Sequence, residues 1–209
     1  MIKIVFATAN KNKISEIQKM IPDTIQLLGL KDIGCVEEIP ETSPTIEGNA
    51  SQKSFYVYNK YHINCFSDDT GLEVDALAGR PGVLSARYAG ENKNAEDNIN
   101  KILLEMDGIT NRNARFKTII SLVIDGVEMQ FEGIINGVLL TEKYGTNGFG
   151  YDSIFAPALA AGDEQNQNNN LRRKTFAEMD IAEKIIPLGG IILGWGLRGF
   201  VMFWKKKAS

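Results

Sequence analysis

The sequence predicts an α/β fold in which a βα half is followed by a β-meander. Three observations carry that prediction. Residues 2–7 (Ile-Lys-Ile-Val-Phe-Ala) form an apolar run of strand length, after which Ile14, Ile17, Met20 and Ile21 recur at helical spacing. Residues 114–124 read as a strand, Asp125-Gly126 is a hairpin signal, and 127–135 returns antiparallel. Between these halves, residues 95–106 place Ile99, Ile102, Leu103 and Met106 on one helical face, closed by Asp107-Gly108. With 209 residues, 44% hydrophobic and 23% charged, the chain supports a real core in one large domain or one domain with two lobes.

Composition excludes several functions. The net charge is −3 and the lysines and arginines are interspersed with acids, so no nucleic-acid surface is expected. The two cysteines, Cys35 and Cys65, lack metal-type spacing and read as reduced thiols of a cytoplasmic protein. The single histidine, His62, excludes any site that needs two imidazoles. Residues 1–6 do not begin a signal peptide.

The remaining elements follow in order. After the first strand comes Thr8-Ala9-Asn10-Lys11-Asn12-Lys13. A loop at a helix N-terminus offers free N–H groups and a favourable dipole to an anion, and here hydroxyl, amide and ammonium groups join them. The alternative is a capped turn with solvated lysines. Pro22-Asp23 ends the first helix, and Gln26-Leu27-Leu28-Gly29-Leu30 suits a second parallel strand. Glu37, Glu38, Glu41 and Glu47 form an acidic loop broken by Pro40 and Pro44. Asn49 suits the N-cap of a helix from Ala50 to about Tyr61, with Lys53 on its small and apolar side and His62 just past its end. Gly79, Pro81 and Gly82 mark a tight loop before Arg87 and Tyr88. Asn136-Gly137 reads as a second turn or bulge before 138–142. Residues 158–174 are long and polar enough for a disordered loop, and Thr175-x-x-Glu178 is a capping box for a helix reaching Lys184.

The chemistry concentrates in Phe66-Ser67-Asp68-Asp69-Thr70-Gly71-Leu72. Adjacent carboxylates are unfavourable unless a cation or hydrogen bonds neutralise them. A hard cation such as Mg2+ takes oxygen ligands and arrives with phosphates. Glu41 or Glu47, folded back towards Asp68 and Asp69, would complete such a site; the alternative is an Asp-rich turn after a strand. Gly148-Phe149-Gly150-Tyr151-Asp152 adds a glycine-rich loop in which the backbone can approach a planar ligand and Phe149 or Tyr151 can stack on it.

Four motifs in order now resemble one family: Thr8-x-Asn10-x-x-Lys13-x-x-Glu16, Ser67-Asp68-Asp69-Thr70-Gly71-Leu72, Pro81-Gly82-Val83-x-Ser85-Ala86-Arg87-Tyr88, and Gly148-Phe149-Gly150-Tyr151-Asp152. The chain is similar to the inosine triphosphate pyrophosphatases, which hydrolyse non-canonical purine nucleoside triphosphates. The resemblance implies an elongated mixed β-sheet flanked by helices, two lobes with a central nucleotide-binding cleft, a homodimer, and Mg2+-dependent conversion of ITP, dITP and XTP to monophosphate and pyrophosphate. It implies that Thr8, Ala9, Asn10, Lys11, Asn12 and Lys13 hold the triphosphate with Lys53 and Arg87. It places metal on Glu41 and Asp69, with Asp68 a further candidate. Asp69 is also the implied base and Thr70 a substrate contact. Phe149, Gly150, Tyr151 and Asp152 would surround base and sugar, and Lys184 would bind substrate.

The C-terminal part departs from that pattern. Where the family carries a Ser-His-Arg motif that reads the 6-keto edge of the base, this chain has Ile185-Ile186-Pro187-Leu188-Gly189-Gly190, and no histidine follows His62. The tail 185–209 is therefore atypical. A membrane anchor at 185–204 is not favoured, because Arg198 inside it would cost roughly 2.5–3.5 kcal/mol at mid-bilayer; a packed final helix is. A second function stays open beside the first, namely a weak or inactive nucleotide-binding or interaction module with an altered tail.

Overall fold

The computed structural model describes residues 2–18, 21–22, 24–158 and 173–179. Its centre is a mixed six-stranded sheet of order β2-β1-β3-β4-β5-β6. Strand β1 (Ile2–Phe6) pairs in parallel with β2 (Ile25–Leu28), from Ile2 opposite Ile25 to Val5 opposite Leu28. On its other edge β1 pairs in parallel with β3 (Cys65–Val74), Phe6 opposite Phe66, and the two rings stack at 4.4 Å. Parallel neighbours need crossover connections. Helix α1 (Lys11–Gln18) supplies the first and α2 (Ile46–Tyr61) lies in the second.

The long strands β4 (Asn113–Ile124) and β5 (Val127–Leu139) are joined by Asp125 and Gly126, with φ of 50° and 81°. That left-handed pair is the geometry a two-residue hairpin favours. Strand β6 (Phe155–Pro157) closes the sheet antiparallel to β5. Helix α3 (Ala95–Glu105) is capped by Asn94, whose side chain accepts from the Asp97 N–H, and it buries Ile99 and Ile102 as its spacing predicts.

The chain divides into two compact units, Met1–Asp69 with Thr118–Glu132 and Thr70–Lys117 with Gly133–Ser209, so the boundary falls inside β3, β4 and β5. The first unit buries Val5, Ala7, Val57, Cys65 and Val123. The second buries Leu72, Ile102, Met106, Leu139, Ile154 and Phe155, with Phe116 and Phe176 around Phe155. Each fully buried side chain of this size contributes roughly 1.5–3 kcal/mol of hydrophobic stabilisation.

Three expectations are corrected. Helix α2 begins at Ile46, a turn before Ala50: Thr45 is its N-cap, accepting from the Gly48 N–H at 3.0 Å. Asn49 is instead buried inside the helix, its Oδ1 accepting from the Ser43 N–H. Strand β3 runs through Asp68 and Asp69 to Val74, which sets aside the alternative of an Asp-rich turn after a strand. Strand β5 passes through Asn136 and Gly137 without a turn. Gly137 is needed there for close approach, since a Cβ would lie 2.4 Å from the Ala156 carbonyl oxygen and 2.6 Å from the Phe155 ring.

Other expectations fall partly beyond view. The loop 158–174 is described only at Ala158, Arg173 and Lys174. The Thr175–Glu178 capping box is present, with the Thr175 N–H donating to Glu178 at 2.9 Å, but it opens a short 3-10 turn, Phe176–Glu178. The continuation to Lys184 and the tail 185–209 lie outside the described residues. Among the described residues no helix is long and apolar enough to cross a membrane.

Replacing Gly137 by alanine overpacks the β5–β6 contact and is expected to lower unfolding free energy by about 1–3 kcal/mol. Urea denaturation reads this as a lowered midpoint with an unchanged slope.

Candidate active site

Strand alternation sends successive side chains to opposite faces. Asp68 and Asp69, adjacent on β3, therefore meet different cations. Lys13, in the first turn of α1, donates to Asp68 Oδ2 at 2.5 Å. Lys53, from the buried face of α2, bonds Asp69 Oδ1 at 3.2 Å and Glu41 Oε1 at 2.6 Å. Glu41, from the acidic loop, thus meets Asp69 through Lys53. Glu37 instead bonds Lys60, Tyr56 and Tyr61, and with Lys60 foremost these hold its carboxyl down at about 2.

Local structure explains these positions. The Asn10 N–H donates to Thr8 Oγ1 at 3.2 Å, and Asn10 Oδ1 accepts from the Lys13 N–H at 3.4 Å, which caps α1 just past the C-terminal end of β1. Ligands of open α/β sheets gather outside the carboxyl ends of the parallel strands, where residues 8–13 stand. On α2, Asn49, Ala50, Lys53, Ser54 and Val57 form one buried face, so Lys53 points inward rather than snorkelling to water. Ser67 Oγ donates to the Ala50 carbonyl and ties this face to β3 beside the carboxylates. Ser54 and Ser121 share a hydrogen bond at 2.6 Å, and Ser121 donates to Glu128 at 2.7 Å, anchoring the same helix over the β4–β5 hairpin. Ser67 stands within the acidic motif and Ser54 on the same helical side as Lys53, whereas nothing in the sequence marks Ser121.

Electrostatics follow from the burial. Burial alone pushes the Lys53 ammonium down, but Asp69, Asp68 and Glu41 outweigh it and hold it above the ordinary lysine value. Burial raises the Asp69 carboxyl above the aspartate range; Lys53 pulls against this and Glu41 adds to it. A carboxylate raised in this way is a better proton acceptor. Asp68 Oδ1 is buried with no hydrogen-bond donor. An orphaned carboxylate oxygen, near a second carboxylate pair already drawn together by a cation, suits a hard divalent metal. Among the described residues no three His, Cys, Asp or Glu side chains form a metal cage. That is compatible with Mg2+, which is bound through one or two carboxylates plus substrate phosphates.

The second unit carries the other expected contacts. Arg87 ends a 3-10 segment, Gly82–Arg87. Phe149 is 48% exposed, whereas Tyr151 is buried at 5% and donates its hydroxyl to the Ser85 carbonyl at 2.8 Å. Of the two rings expected to stack on a ligand, Phe149 is accessible and Tyr151 is a core residue. Gly150 has φ of 57°, and Asp152 Oδ2 accepts from the Phe149 N–H, closing the loop. A cavity of about 640 Å³ in this unit, bordered by residues 110–113 and 138–141, contains none of the expected site residues. The side chains of Lys11 and Asn12, and all of Lys184, lie outside the described residues.

Replacing Lys53 by methionine leaves Glu41 and Asp69 facing each other without their cation. Breaking such a pair is expected to cost roughly 2 kcal/mol, below the fully buried value because Glu41 is 34% exposed. Without Lys53 the folded-state pKa of Asp69 lies further above its unfolded value. The folded state then holds more protons than the unfolded one across that window, so stability falls as pH rises through it. The deficit against the wild type is expected to be larger at about pH 8 than at about pH 5, read by urea unfolding at both.

Comparison with known proteins bears on this arrangement. A family model described as the Ham1 family matches residues 4–185. A dITP/XTP pyrophosphatase of Flavobacterium johnsoniae is 54% identical over 183 residues, covering 88% of this chain and 89% of its own. One from Porphyromonas gingivalis is 46% identical, covering 75% and 81%. The Ham1 protein structure of Staphylococcus aureus superposes with a TM-score of 0.80 at 34% identity, covering 96% of this chain and 98% of its own. The motif resemblance and the six-stranded α/β fold agree with these matches, and the chain belongs to the Ham1 family.

Proposed function

We propose that this protein hydrolyses non-canonical purine nucleoside triphosphates, dITP, XTP and ITP, to the monophosphate and pyrophosphate with Mg2+. The observation that carries this reading is the pair of adjacent β3 carboxylates, each bonded to a lysine from a different helix, with Asp68 Oδ1 left unpaired. The names of the relatives, dITP/XTP pyrophosphatase, supply the substrate class.

The residues take the following roles. The backbone and side chains of Thr8, Ala9, Asn10, Lys11, Asn12 and Lys13 hold phosphate oxygens at the start of α1, where N–H groups and dipole favour an anion. Lys53, Arg87 and Lys184 add positive charge. Asp69 accepts the proton of a water that attacks a phosphorus of the α–β anhydride, and pyrophosphate and monophosphate part at that bond. Glu41 and Asp69 would hold the metal, with Asp68 a further candidate, and the metal when bound would neutralise charge on the phosphate oxygens. Thr70 contacts the substrate beside Asp69. Phe149, Gly150 and Asp152 meet base and sugar, Phe149 by stacking, while Tyr151 fixes the loop from within the core. The active form is a homodimer in the cytoplasm.

The test is pyrophosphate release from dITP, XTP, ITP, GTP and ATP by the full-length chain, with Mg2+ and with excess chelator. Hydrolysis of dITP and XTP is expected with Mg2+ and at least about 10²-fold less with chelator. Because the chain lacks the Ser-His-Arg motif, preference over ATP and GTP is expected to stay below the 10⁴–10⁵-fold that buried hydrogen-bond readout supplies, at no more than about 10²-fold. No release from any of the five would contradict the reading and leave the nucleotide-binding module in its place.

A further inference from the structure

The backbone around Arg87 is bonded on both sides by one face of a helix. Asn98 on α3 is buried at 4% exposure. Its Oδ1 accepts from the Ala89 N–H at 2.6 Å, and its Nδ2 donates to the Ala86 carbonyl at 3.0 Å and, more weakly, to Ser85 at 3.4 Å. One side-chain amide thus brackets Arg87 and Tyr88, holding the carbonyl before and the N–H after. Lys101, three residues on, donates to the Tyr88 carbonyl at 2.7 Å and sits 4.3 Å from the Tyr88 ring centroid. Glu105, four further, accepts the Tyr88 hydroxyl. Positions 98, 101 and 105 share one helical face. The Ser85 carbonyl also accepts from Tyr151, and Ser85 Oγ accepts from the Leu72 N–H at 2.8 Å.

Such an investment is larger than a surface turn needs. A buried amide that uses its carbonyl and amino group on one dipeptide fixes φ and ψ there, because moving the segment would leave its buried polar atoms unpaired. The residue so fixed is the arginine assigned to the triphosphate. Guanidinium contacts to phosphate act through geometry, and a displacement of about 1 Å at a positioned group can cost about 10²-fold in rate.

We propose that Asn98, with Lys101 and Glu105, is a positioning device for Arg87: the polar face of α3 holds the backbone of residues 85–89 so that the Arg87 guanidinium is pre-set on the substrate phosphates. The inference rests on the proposed role of Arg87 and adds residues that the sequence motifs did not single out.

A double-mutant cycle tests it, with kcat and KM for dITP and Mg2+ measured on the full chain. Arg87→Ala alone is expected to lower kcat/KM about 10²-fold, and Asn98→Leu about 10-fold or more, with kcat and KM changing in the same proportion as in Arg87→Ala. In the Arg87→Ala background the Asn98 effect is expected to shrink to about 2-fold or less, since the group it positions is gone. A purely structural role would leave it multiplicative, and that result overturns the inference. Wild-type kcat/KM in Asn98→Leu, with Arg87→Ala impaired, overturns it as well. Unaltered kcat/KM in Arg87→Ala overturns the assignment of Arg87 itself, and the device with it. If Asn98→Leu does not fold, the half-buried Lys101→Met carries the same cycle with the same expectations.

Discussion

Two carboxylates side by side in sequence must be kept from repelling each other, and the first unit is arranged around that constraint. The pleat of β3 separates them, and two helices that precede β3 in the chain each deliver a lysine. Desolvation alone makes a buried lysine or aspartate costly, so each group here is tolerable because the other is present. Val5, Val57 and Cys65 are buried in the hydrophobic core of the same unit. Burial also pushes the Cys65 thiol to about 12, which leaves it an inert packing residue rather than a nucleophile.

The same constraint explains the hydroxyl network under α2. A helix that carries a buried ammonium must be held in rotation as well as position. Ser67 holds it from β3, and Ser54, through Ser121 and Glu128, holds it from the hairpin. In the second unit Asn98, Ser85 and Tyr151 perform the corresponding task for the Gly82–Arg87 segment. Buried polar residues in each unit therefore pair near candidate substrate contacts, where an unpaired group would be costly.

Much of the fold was legible because it is written in periodicity and turn chemistry. Strand β1, helices α1 and α3, and the Asp125-Gly126 hairpin follow from apolar spacing and from residues that accept left-handed φ. What failed was reading polar residues as boundaries. Asp68 and Asp69 allow a turn after a strand, yet β3 runs through them to Val74. Asn136-Gly137 looks like a turn, yet Gly137 serves the close approach of β6. Asn49 looks like a cap, yet Thr45 does that work and Asn49 bonds Ser43. At the site, Lys53 and Asp69 stand out because charge on an apolar stripe or beside like charge demands a partner, whereas the residues alone leave Glu41 and Glu47 open and the family resemblance points to Glu41. Asn98 escaped because its bonds are to backbone, and no residue type in the sequence marks a carbonyl that needs a donor.

The family match ends at residue 185, where the sequence departs from the base-reading motif, so the phosphate chemistry and the base readout stand on separate grounds. The central claim concerns the former. Single-turnover hydrolysis of dITP by Asp69→Asn, with nucleotide binding measured on the same protein, tests it most directly. Asparagine keeps the size and loses the proton-accepting charge. The account predicts a rate lowered by at least about 10²-fold with dITP still bound. A rate within a few-fold of wild type would contradict it.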